Sequence, residues 1–351
     1  MKLKNGFTLI EIIIVLVIIS IIGGIVTNII SNISKRYIID YQYKLLDMQT
    51  SDYINKLDNL LSGTISNTVI GDKCNLDNDD CYNGNYTSFN SLEELTQEGK
   101  NFNYPSNKEY PVIEFYKENN YIKYFQWNEN KKLNIPLSSK FVDLKDTTVI
   151  NSNENEYNIT VKYSNIKKVF DTLNLYLNAN KVDENSSSNN NTVLLMSGEF
   201  DNGDISDINN SYGYMKTKSL KLFNILDYKH YDTGNVYNNY DILHIKPVSN
   251  LDGLKTEPYQ SFFIINSAYA LVPKKNSNGL LDIYLYQFYK PWKGQTYKDA
   301  KSKVLFMKNL SDFEIKSVNH SLFVKICKQV PASQQITNDL DFKVCKEYFK
   351  Y

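Results

Sequence analysis

An apolar run near the N-terminus is the strongest constraint on how this chain can fold. Phe7 to Val26 is apolar apart from three residues, Thr8, Glu11 and Ser20. Twenty helical residues span about 30 Å, the thickness of the hydrocarbon core of a bilayer. Because Lys2 and Lys4 precede the run, the positive-inside rule places the N-terminus in the cytoplasm and the rest of the chain outside. The sequence therefore predicts a single-pass membrane helix with an exported head.

Two simpler readings of this segment fit less well. A secretory signal would end in small residues of the A-x-A kind, yet the first alanine of the chain is Ala179. A plain anchor does not explain Glu11, because a carboxylate at depth in a bilayer costs about 2.5–3.5 kcal/mol and ionisable residues in such segments usually mark function. We therefore expect Glu11 to have a cationic partner.

The segment Lys4-Asn5-Gly6-Phe7-Thr8-Leu9-Ile10-Glu11 resembles the cleavage and methylation site of type IV prepilins and pseudopilins. In that family a membrane aspartyl peptidase cuts after the glycine and methylates the new terminal amine. The resemblance implies cleavage between Gly6 and Phe7, with Phe7 as the first mature residue. It also implies that Glu11 pairs with the terminal amine of a neighbouring subunit during assembly, which would supply the missing cation.

One departure from many pilins is the absence of a proline where Asn28 stands here. Gly23 and Gly24 precede that position, and glycines can let a helix unwind. We expect any local unwinding of the membrane helix to occur at this pair.

The helix is expected to continue beyond the membrane as an amphipathic stem. Residues from Ile29 to Leu61 include no Pro or Gly, and Gly63 offers a stop. Apolar residues recur at steps of mostly three and four, which gives one stripe: Ile38, Tyr41, Leu45, Met48, Ile54, Leu57 and Leu61. A coiled-coil stalk is the alternative, but a single stripe after a membrane half is also how a pilin helix docks on a sheet.

The remaining chain reads mostly as sheet. Residues 64–110 look like a loop-rich connection, a helix is predicted over Ile166–Asn178, and Asp183–Thr192 reads as a loop tip. Alternation and β-branched or aromatic enrichment predict strands at Val112–Tyr116, Tyr121–Trp127, Lys140–Leu144, Tyr157–Tyr163, Val193–Met196, Leu220–Ile225, Ile242–Pro247, Ser261–Val272, Leu281–Tyr289, Val304–Phe306, Phe313–Val318 and Leu322–Ile326. The stretch Tyr269–Cys327 also resembles the C-terminal region of larger minor pilins and J-type pseudopilins.

The expected fold class is α+β, with a long N-terminal helix packed on an antiparallel β-sheet head, pilin-like and with room for a second lobe. The expected division is a leader at 1–6, a transmembrane and assembly half of the helix at 7–28, and an amphipathic half at 29–62. The first part of the head would then cover 63–165 and a second β-rich part 166–351.

Four cysteines lie in the part expected outside the membrane: Cys74, Cys81, Cys327 and Cys345. Four cysteines allow three connectivities, and short loops favour Cys74 with Cys81 and Cys327 with Cys345. A zinc site made of all four cysteines is the rival, although neither pair has the C-x-x-C spacing.

No catalytic, cofactor or nucleic-acid signature appears in the sequence. The acidic runs around Asp77–Asp80 and Asp201–Asp207 lack the closing glutamate of a calcium loop, and His230, His244 and His320 are scattered. With 39 basic and 39 acidic residues, the overall charge would not concentrate polyanions. We expect no enzyme activity, no cofactor, no metal site and no nucleic-acid partner.

These inferences predict a minor pilin of a type IV pilus, with a head that initiates or decorates the filament or serves adhesion. The expected partners are other pilins through the helix, the prepilin peptidase and N-methyltransferase, the membrane and the pilus assembly platform. The expected location is a single-pass membrane protein that becomes part of a cell-surface pilus. The alternatives are a pseudopilin of a type II secretion or DNA-uptake machine, and a membrane-anchored surface enzyme or binding protein.

Overall fold

A computed structural model describes residues 9–65, 68–75, 90–91, 109–118, 125–128, 133–136, 139–152, 155–166, 168–169, 192–197, 212–214, 221–234, 238–248, 258–318, 321–330 and 342–350. Within these ranges the chain forms one long α-helix and antiparallel sheets of eight, six and two strands. The fold is α+β, a long N-terminal helix on a β-sheet head with a second lobe, as the sequence predicts.

The helix and the strands are numbered in chain order. The helix is α1 (Leu9–Leu61). The strands are β1 (Ile70–Asn75), β2 (Asn90–Ser91), β3 (Glu109–Tyr116), β4 (Phe125–Asn128), β5 (Leu133–Pro136), β6 (Val142–Asn151), β7 (Glu156–Lys162), β8 (Val193–Ser197), β9 (Leu222–Tyr231), β10 (Tyr240–Pro247), β11 (Ser261–Ile265), β12 (Ala268–Lys275), β13 (Leu281–Tyr289), β14 (Ser302–Val318), β15 (Ser321–Gln329) and β16 (Lys343–Lys350).

The larger sheet carries the helix. Its strand order is β16-β15-β14-β13-β12-β3-β1-β2, so the C-terminal meander β12 to β16 is extended by strands from early in the chain. The long strand β14 pairs with β13 through its first half and with β15 through its second half. This arrangement places α1 over the β15 and β16 side of the sheet.

The six-stranded sheet curls back on itself. Its order is β11-β8-β9-β10-β7-β6, and a bridge between Phe141 and Ser261 joins the beginning of β6 to the opposite edge strand β11. At this seam the amide of Val142 donates to the Gln260 carbonyl at 2.8 Å, and the amide of Phe262 donates to the Lys140 carbonyl at 3.1 Å. The curled sheet therefore encloses its own apolar interior.

Strand alternation divides the buried apolar residues into three clusters. In β8, Val193 and Leu195 face the larger sheet, whereas Leu194 lies in the interior of the curled sheet. In β12, Val272 joins the cluster between the two sheets, whereas Leu271 joins the cluster under the helix. The layer order is therefore helix, eight-stranded sheet and curled sheet.

Only the last turns of α1 pack on the sheet. The buried residues of the helix are Leu46, Thr50, Leu57, Leu60 and Leu61. The predicted stripe is correct at its lower end, but Met48 in its upper part is 70% exposed. The stripe is wrong at Met48 because its neighbours Leu46 and Thr50 face the sheet, and helix residues two positions apart point to nearly opposite sides.

Two predicted segments differ from the structure, and a third is described only in part. The region 64–110, predicted as loop-rich, contains β1 and β2. The predicted strand Ser261–Val272 is two strands, because the chain crosses from the curled sheet to the larger sheet at Asn266 and Ser267, two polar residues that interrupt the apolar run. The helix predicted at Ile166–Asn178 has helical backbone at Ile166, Lys168 and Val169, and the rest lies outside the described residues.

The segments Val304–Phe306 and Phe313–Val318 are one strand, β14, and not two. Asn309 interrupts the apolar pattern and has a left-handed φ of 57°. Its amide donates to Asp282 Oδ1 at 2.9 Å and its side-chain oxygen accepts from Asn276 Nδ2 at 3.0 Å. This local network holds an irregularity within a continuous strand, which the sequence shows only as a polar interruption.

The curled sheet takes β6 and β7 from before residue 165 and its other four strands from after it. Each predicted part of the head therefore contributes to both sheets. The division of the head at residue 165 stays a prediction.

Candidate functional site: the N-terminal helix and its junction with the head

The predicted processing and assembly residues lie at the start of α1. Gly6 and Phe7 precede the described residues, and α1 begins at Leu9. Glu11 lies in the first turn of the helix on an exposed position. The cleavage between Gly6 and Phe7 and the pairing of Glu11 stay predictions.

The segment that follows is suited to lipid. Among the described residues, one helix is long and apolar enough to cross a membrane, and it is α1. Ser20 Oγ donates to the Leu16 carbonyl at 2.8 Å and Thr27 Oγ1 donates to the Gly23 carbonyl at 2.7 Å. These hydroxyls are satisfied inside the helix. An ionised carboxylate can only accept hydrogen bonds, so Glu11 cannot use a preceding carbonyl in the same way.

The glycine pair lies within continuous helix. A Cβ added at Gly23 or Gly24 would meet nothing within 4 Å, so the subunit itself does not require small residues there. The helix is unbroken through the pair in this structure, and unwinding at the pair stays a prediction.

The junction between helix and head centres on Tyr53. The amide of Lys308 donates to the Tyr53 hydroxyl at 3.1 Å, and that hydroxyl lies 3.3 Å from the Lys308 carbonyl. Lys328 Nζ donates to the same carbonyl at 2.7 Å and lies 4.8 Å from the centre of the Tyr53 ring. Tyr53 and Lys328 together satisfy the backbone of β14 at Lys308, where β15 no longer pairs with it.

Side chains of the last strand hold the C-terminal part of the helix. Lys346 Nζ lies 2.8 Å from Asp47 Oδ1 and donates to Ser51 Oγ at 2.5 Å. About two turns further on, the Tyr348 hydroxyl donates to Asp58. Because Lys346 and Tyr348 are two residues apart in β16, they point to the same face of the strand and hold two points of the helix.

The end of α1 is capped from the neighbouring strand. Lys117 Nζ donates to the carbonyls of Asn59 at 3.2 Å and Leu60 at 2.8 Å, two of the groups that a helix C-terminus leaves unsatisfied. Gly63 has a φ of 80°, and its carbonyl accepts the Glu118 amide at 2.8 Å. The predicted stop at Gly63 is therefore confirmed, with a left-handed residue just after the helix.

Lys328 is a titratable group at this junction. Its side chain is almost fully buried, and this burial, together with the charge of Lys308, lowers its pKa from 10.5 to about 8. The unfolded chain therefore binds more protons than the folded chain between about pH 8 and 10.5, so the stability contribution of Lys328 rises with pH in that window.

We expect Lys328→Met to flatten this pH dependence. For the wild-type chain, the free energy of unfolding should gain about 1–2 kcal/mol from Lys328 between pH 7.5 and pH 9.5. Denaturant titrations of the detergent-solubilised chain at the two pH values measure the gain. Tyr348, whose pKa is raised to about 12 by burial and Asp58, lowers stability only above about pH 10 and does not interfere.

Lys290 is the matched control, because burial lowers its pKa to about 8 as well and it lies in the connection between β13 and β14, away from α1. Lys290→Met should remove its own contribution and leave that of Lys328. An unchanged pH dependence in Lys328→Met would show that Lys328 keeps an ordinary pKa.

The predicted C-terminal disulfide is confirmed. Cys327 and Cys345 lie directly opposite each other in β15 and β16 and are joined by an S–S bond. A zinc site made of all four cysteines is therefore wrong, because two of the thiols form this bond. Cys74 lies in β1, but Cys81 lies outside the described residues, so their pairing stays a prediction.

We expect Cys345→Ser to destabilise the head by about 3 kcal/mol, because the disulfide joins residues separated by 18 positions. Cys345 is exposed and Cys327 is buried, so the substitution leaves the core intact. Thermal unfolding and non-reducing peptide mapping provide the measurement, and Cys327→Ala/Cys345→Ser controls for mispairing of the remaining thiol. Equal melting temperatures with free thiols in the wild type would contradict this prediction.

The histidines are not brought together in the described part of the chain. His230 Nδ1 lies 2.7 Å from Asp241 Oδ1, whose other carboxylate oxygen accepts the Ile166 amide at 2.8 Å. His244 lies beside Glu156 at 3.6 Å, and His320 lies outside the described residues. The two acidic runs also lie outside them, and the described residues contain no group of three or more metal-ligating side chains.

Sequence analysis missed the junction residues Tyr53, Lys328 and Lys346. Their roles depend on the packing of helix against strand, which alternation within one segment does not show.

Comparison with known proteins finds the family signature at the N-terminus. Residues 1–27 match the family described as the prokaryotic N-terminal methylation motif. Comparisons with curated proteins and with solved structures gave no match. The match covers the predicted processing segment and the beginning of α1, and it implies processing by a prepilin peptidase, anchoring in a membrane before assembly and assembly with other pilins. Over these residues the chain is similar to type IV pilins and pseudopilins, which carry this motif.

Proposed function

We propose that the chain is a minor pilin of a type IV pilus. It is held in the membrane by α1 before assembly and lies on the cell surface in the assembled filament. The observation that supports this proposal is the layer order of the head, with the curled sheet on the side of the eight-stranded sheet opposite the helix.

The geometry of the filament determines which layer of the head faces outward. Subunits of this family assemble around packed N-terminal helices, so the layer farthest from α1 points outward. The cluster between the two sheets includes Leu222 and Ile265 of the curled sheet and Tyr286 of the larger sheet. A head with this additional outward layer would crowd its neighbours if every subunit carried one. The proposal is therefore a subunit present in few copies, which initiates or decorates the filament.

We further propose that the head is a structural and interaction module and not an enzyme. The His230–Asp241 pair has the appearance of a catalytic dyad, but the Asp241 carboxylate joins β10 to the backbone at Ile166 and to β9. Both carboxylate oxygens thus have structural partners. The proposed partners are other pilins through α1, the prepilin peptidase and N-methyltransferase, and the pilus assembly platform.

Mass spectrometry of sheared surface filaments tests the proposal. We expect a peptide that begins at N-methylated Phe7, in much smaller amount than the peptides of the major subunit. The control is the membrane fraction of the same cells, where the unassembled pool should be found.

Two results would contradict parts of the proposal separately. A processed chain that stays in the cell envelope and never enters sheared filaments would favour a pseudopilin of a secretion or DNA-uptake machine. Filaments that contain the chain with residues 1–6 still attached would contradict the processing step itself.

A further inference from the structure

We infer that the head carries a binding site for a neutral glycan at the seam where the curled sheet closes. A pocket of about 470 Å³ lies there, and we call it the seam pocket. Ligand pockets commonly have volumes of about 300–1,000 Å³, so this one is large enough for one or two sugar rings. Its functional lining is Phe141, Asp143, Leu144, Lys162, Tyr163 and Gln260.

The walls of the seam pocket are apolar side chains that are exposed to solvent. Phe141 is 67% exposed and Tyr163 is 52% exposed, and Leu144 between them is also exposed. Exposed aromatic rings that share one concave surface are typical of interaction sites, whereas single exposed apolar residues are common everywhere. The grouping of these residues around one pocket therefore points to a ligand.

The backbone is strained on both sides of the pocket. Lys140 has a φ of 62° and Tyr163 a φ of 55°, a left-handed conformation that non-glycine residues rarely adopt. Such strain clusters at binding and catalytic sites, because the surrounding structure has to maintain it. Here one strained residue, Lys140, immediately precedes Phe141, and the other is Tyr163 itself. Phe141 and Tyr163 are the two residues whose rings form the walls of the pocket.

The strained residues are held by specific contacts. Lys140 forms an ion pair with the buried Glu118, and its Nζ lies 5.9 Å from the centre of the Phe263 ring. The amide of Tyr163 donates to the Asn239 carbonyl at 2.7 Å. Because the side chain of Lys140 is tied inward, the next residue, Phe141, is presented outward.

A large bulge in β6 forms the polar side of the pocket. Asp143 is opposite Thr160 and Thr148 is opposite Asn158, so the residues 144–147 form an insertion in β6. Asp143 holds this insertion, since its Oδ1 accepts the Lys145 amide at 3.1 Å and its carbonyl accepts Thr147 Oγ1 at 3.0 Å. Bulges of this kind redirect side chains near functional sites.

The polar groups are of opposite charge. Asp143 forms an ion pair with Lys162, and the hydrogen bond from Lys162 lowers the pKa of the Asp143 carboxyl. Lys162 Nζ also lies 3.6 Å from Asp146. The pocket thus presents a carboxylate acceptor and an ammonium donor side by side. With Lys145, which also lines the pocket, the two acids and two lysines leave no net charge.

This combination of groups fits a neutral sugar. Aromatic faces carry negative partial charge and attract the C–H groups on the face of a sugar ring. A carboxylate, an ammonium group and the Gln260 amide can accept from and donate to sugar hydroxyls. The balanced charge of Asp143 and Lys162 gives no preference for an acidic glycan. Binding at this site does not depend on filament assembly.

The test measures glycan binding by the full-length chain in a zwitterionic detergent that contains no sugar. An array of neutral oligosaccharides is probed first, and the strongest of them is titrated by calorimetry. We expect Phe141→Ala and Tyr163→Ala each to weaken binding of that oligosaccharide at least about fivefold. Phe349→Ala is the matched control, because Phe349 is an exposed aromatic residue in β16 on the other sheet. It should leave binding unchanged.

Gln260→Ala provides a second, milder variant. Gln260 takes part in the seam through its carbonyl, which the substitution keeps, so folding is unaffected. We expect binding to weaken about two- to threefold. The inference is overturned if none of the oligosaccharides binds above the detergent background, or if Phe141→Ala and Tyr163→Ala bind like the wild type. Stronger binding of acidic than of neutral oligosaccharides would also overturn it.

Discussion

Replacement of Gly6 by leucine is expected to leave residues 1–6 attached to the chain and to keep it out of surface filaments. The resemblance to prepilins places the cut after Gly6, the only glycine between the basic leader and the apolar run. A branched side chain at the residue before the cut obstructs the approach of the peptidase to the backbone, because glycine is used where a backbone must be approached closely. We expect a loss of processing that is close to complete.

The length of the chain in membranes, measured by intact mass spectrometry, checks this result. Gly24→Leu is the matched control, since it replaces a glycine of α1 by the same residue and a Cβ there meets nothing within 4 Å. Its chain should still be cut and methylated at Phe7. A Gly6→Leu chain that is processed normally would place the cut elsewhere and remove the main support for the processing site.

The features that could be predicted from sequence are those that depend on one segment at a time. The apolar run, the stop at Gly63 and the pairing of Cys327 with Cys345 all follow from local pattern and chain order. The disulfide could be predicted because two alternating segments with a short turn region between them return antiparallel. A cysteine in each then lies opposite the other.

The features that could not be predicted depend on two segments from distant parts of the chain. Ser261 to Val272 is mostly apolar, and its division between two sheets at Asn266 and Ser267 comes from pairing with β8 before these residues and with β3 after them. In the sequence, Lys328 looks like an exposed lysine. It is buried because α1 packs over it, and its Nζ donates a hydrogen bond to the hydroxyl of Tyr53 in that helix. Periodicity within a strand shows which residues share a face but not what will cover that face.

The seam pocket shows the same limit at a candidate site. Phe141 and Tyr163 lie at the ends of segments that were predicted as strands, and their rings would ordinarily be assigned to a core. They remain exposed because Lys140 and Tyr163 adopt left-handed backbone at the seam. Such a conformation at a lysine or tyrosine has no signature in the sequence, since neither residue favours it.

For Glu11→Val we expect insertion into the membrane to be retained or improved while incorporation into filaments is lost. Removal of a carboxylate from a membrane segment relieves an insertion cost of about 2.5–3.5 kcal/mol. In the assembled filament, the same change would leave the methylated amine of a neighbouring subunit without its partner, and breaking a buried ion pair costs about 3–5 kcal/mol. A loss of 3 kcal/mol for each contact corresponds to a reduction of more than about a hundredfold in the association constant.

Fractionation separates the two effects, because the amount of chain in the membrane reports insertion and the amount in sheared filaments reports assembly. Ser20→Val is the matched control, since it also makes the membrane segment more apolar, and the hydroxyl it removes bonds only within the helix, to the Leu16 carbonyl. Its chain should insert and assemble like the wild type. If Glu11→Val enters filaments at the wild-type level, the carboxylate does not pair with the terminal amine. A role in recognition by the peptidase would then be the explanation for a carboxylate in the membrane segment. The yield of N-methylated Phe7 in the same variant measures that role.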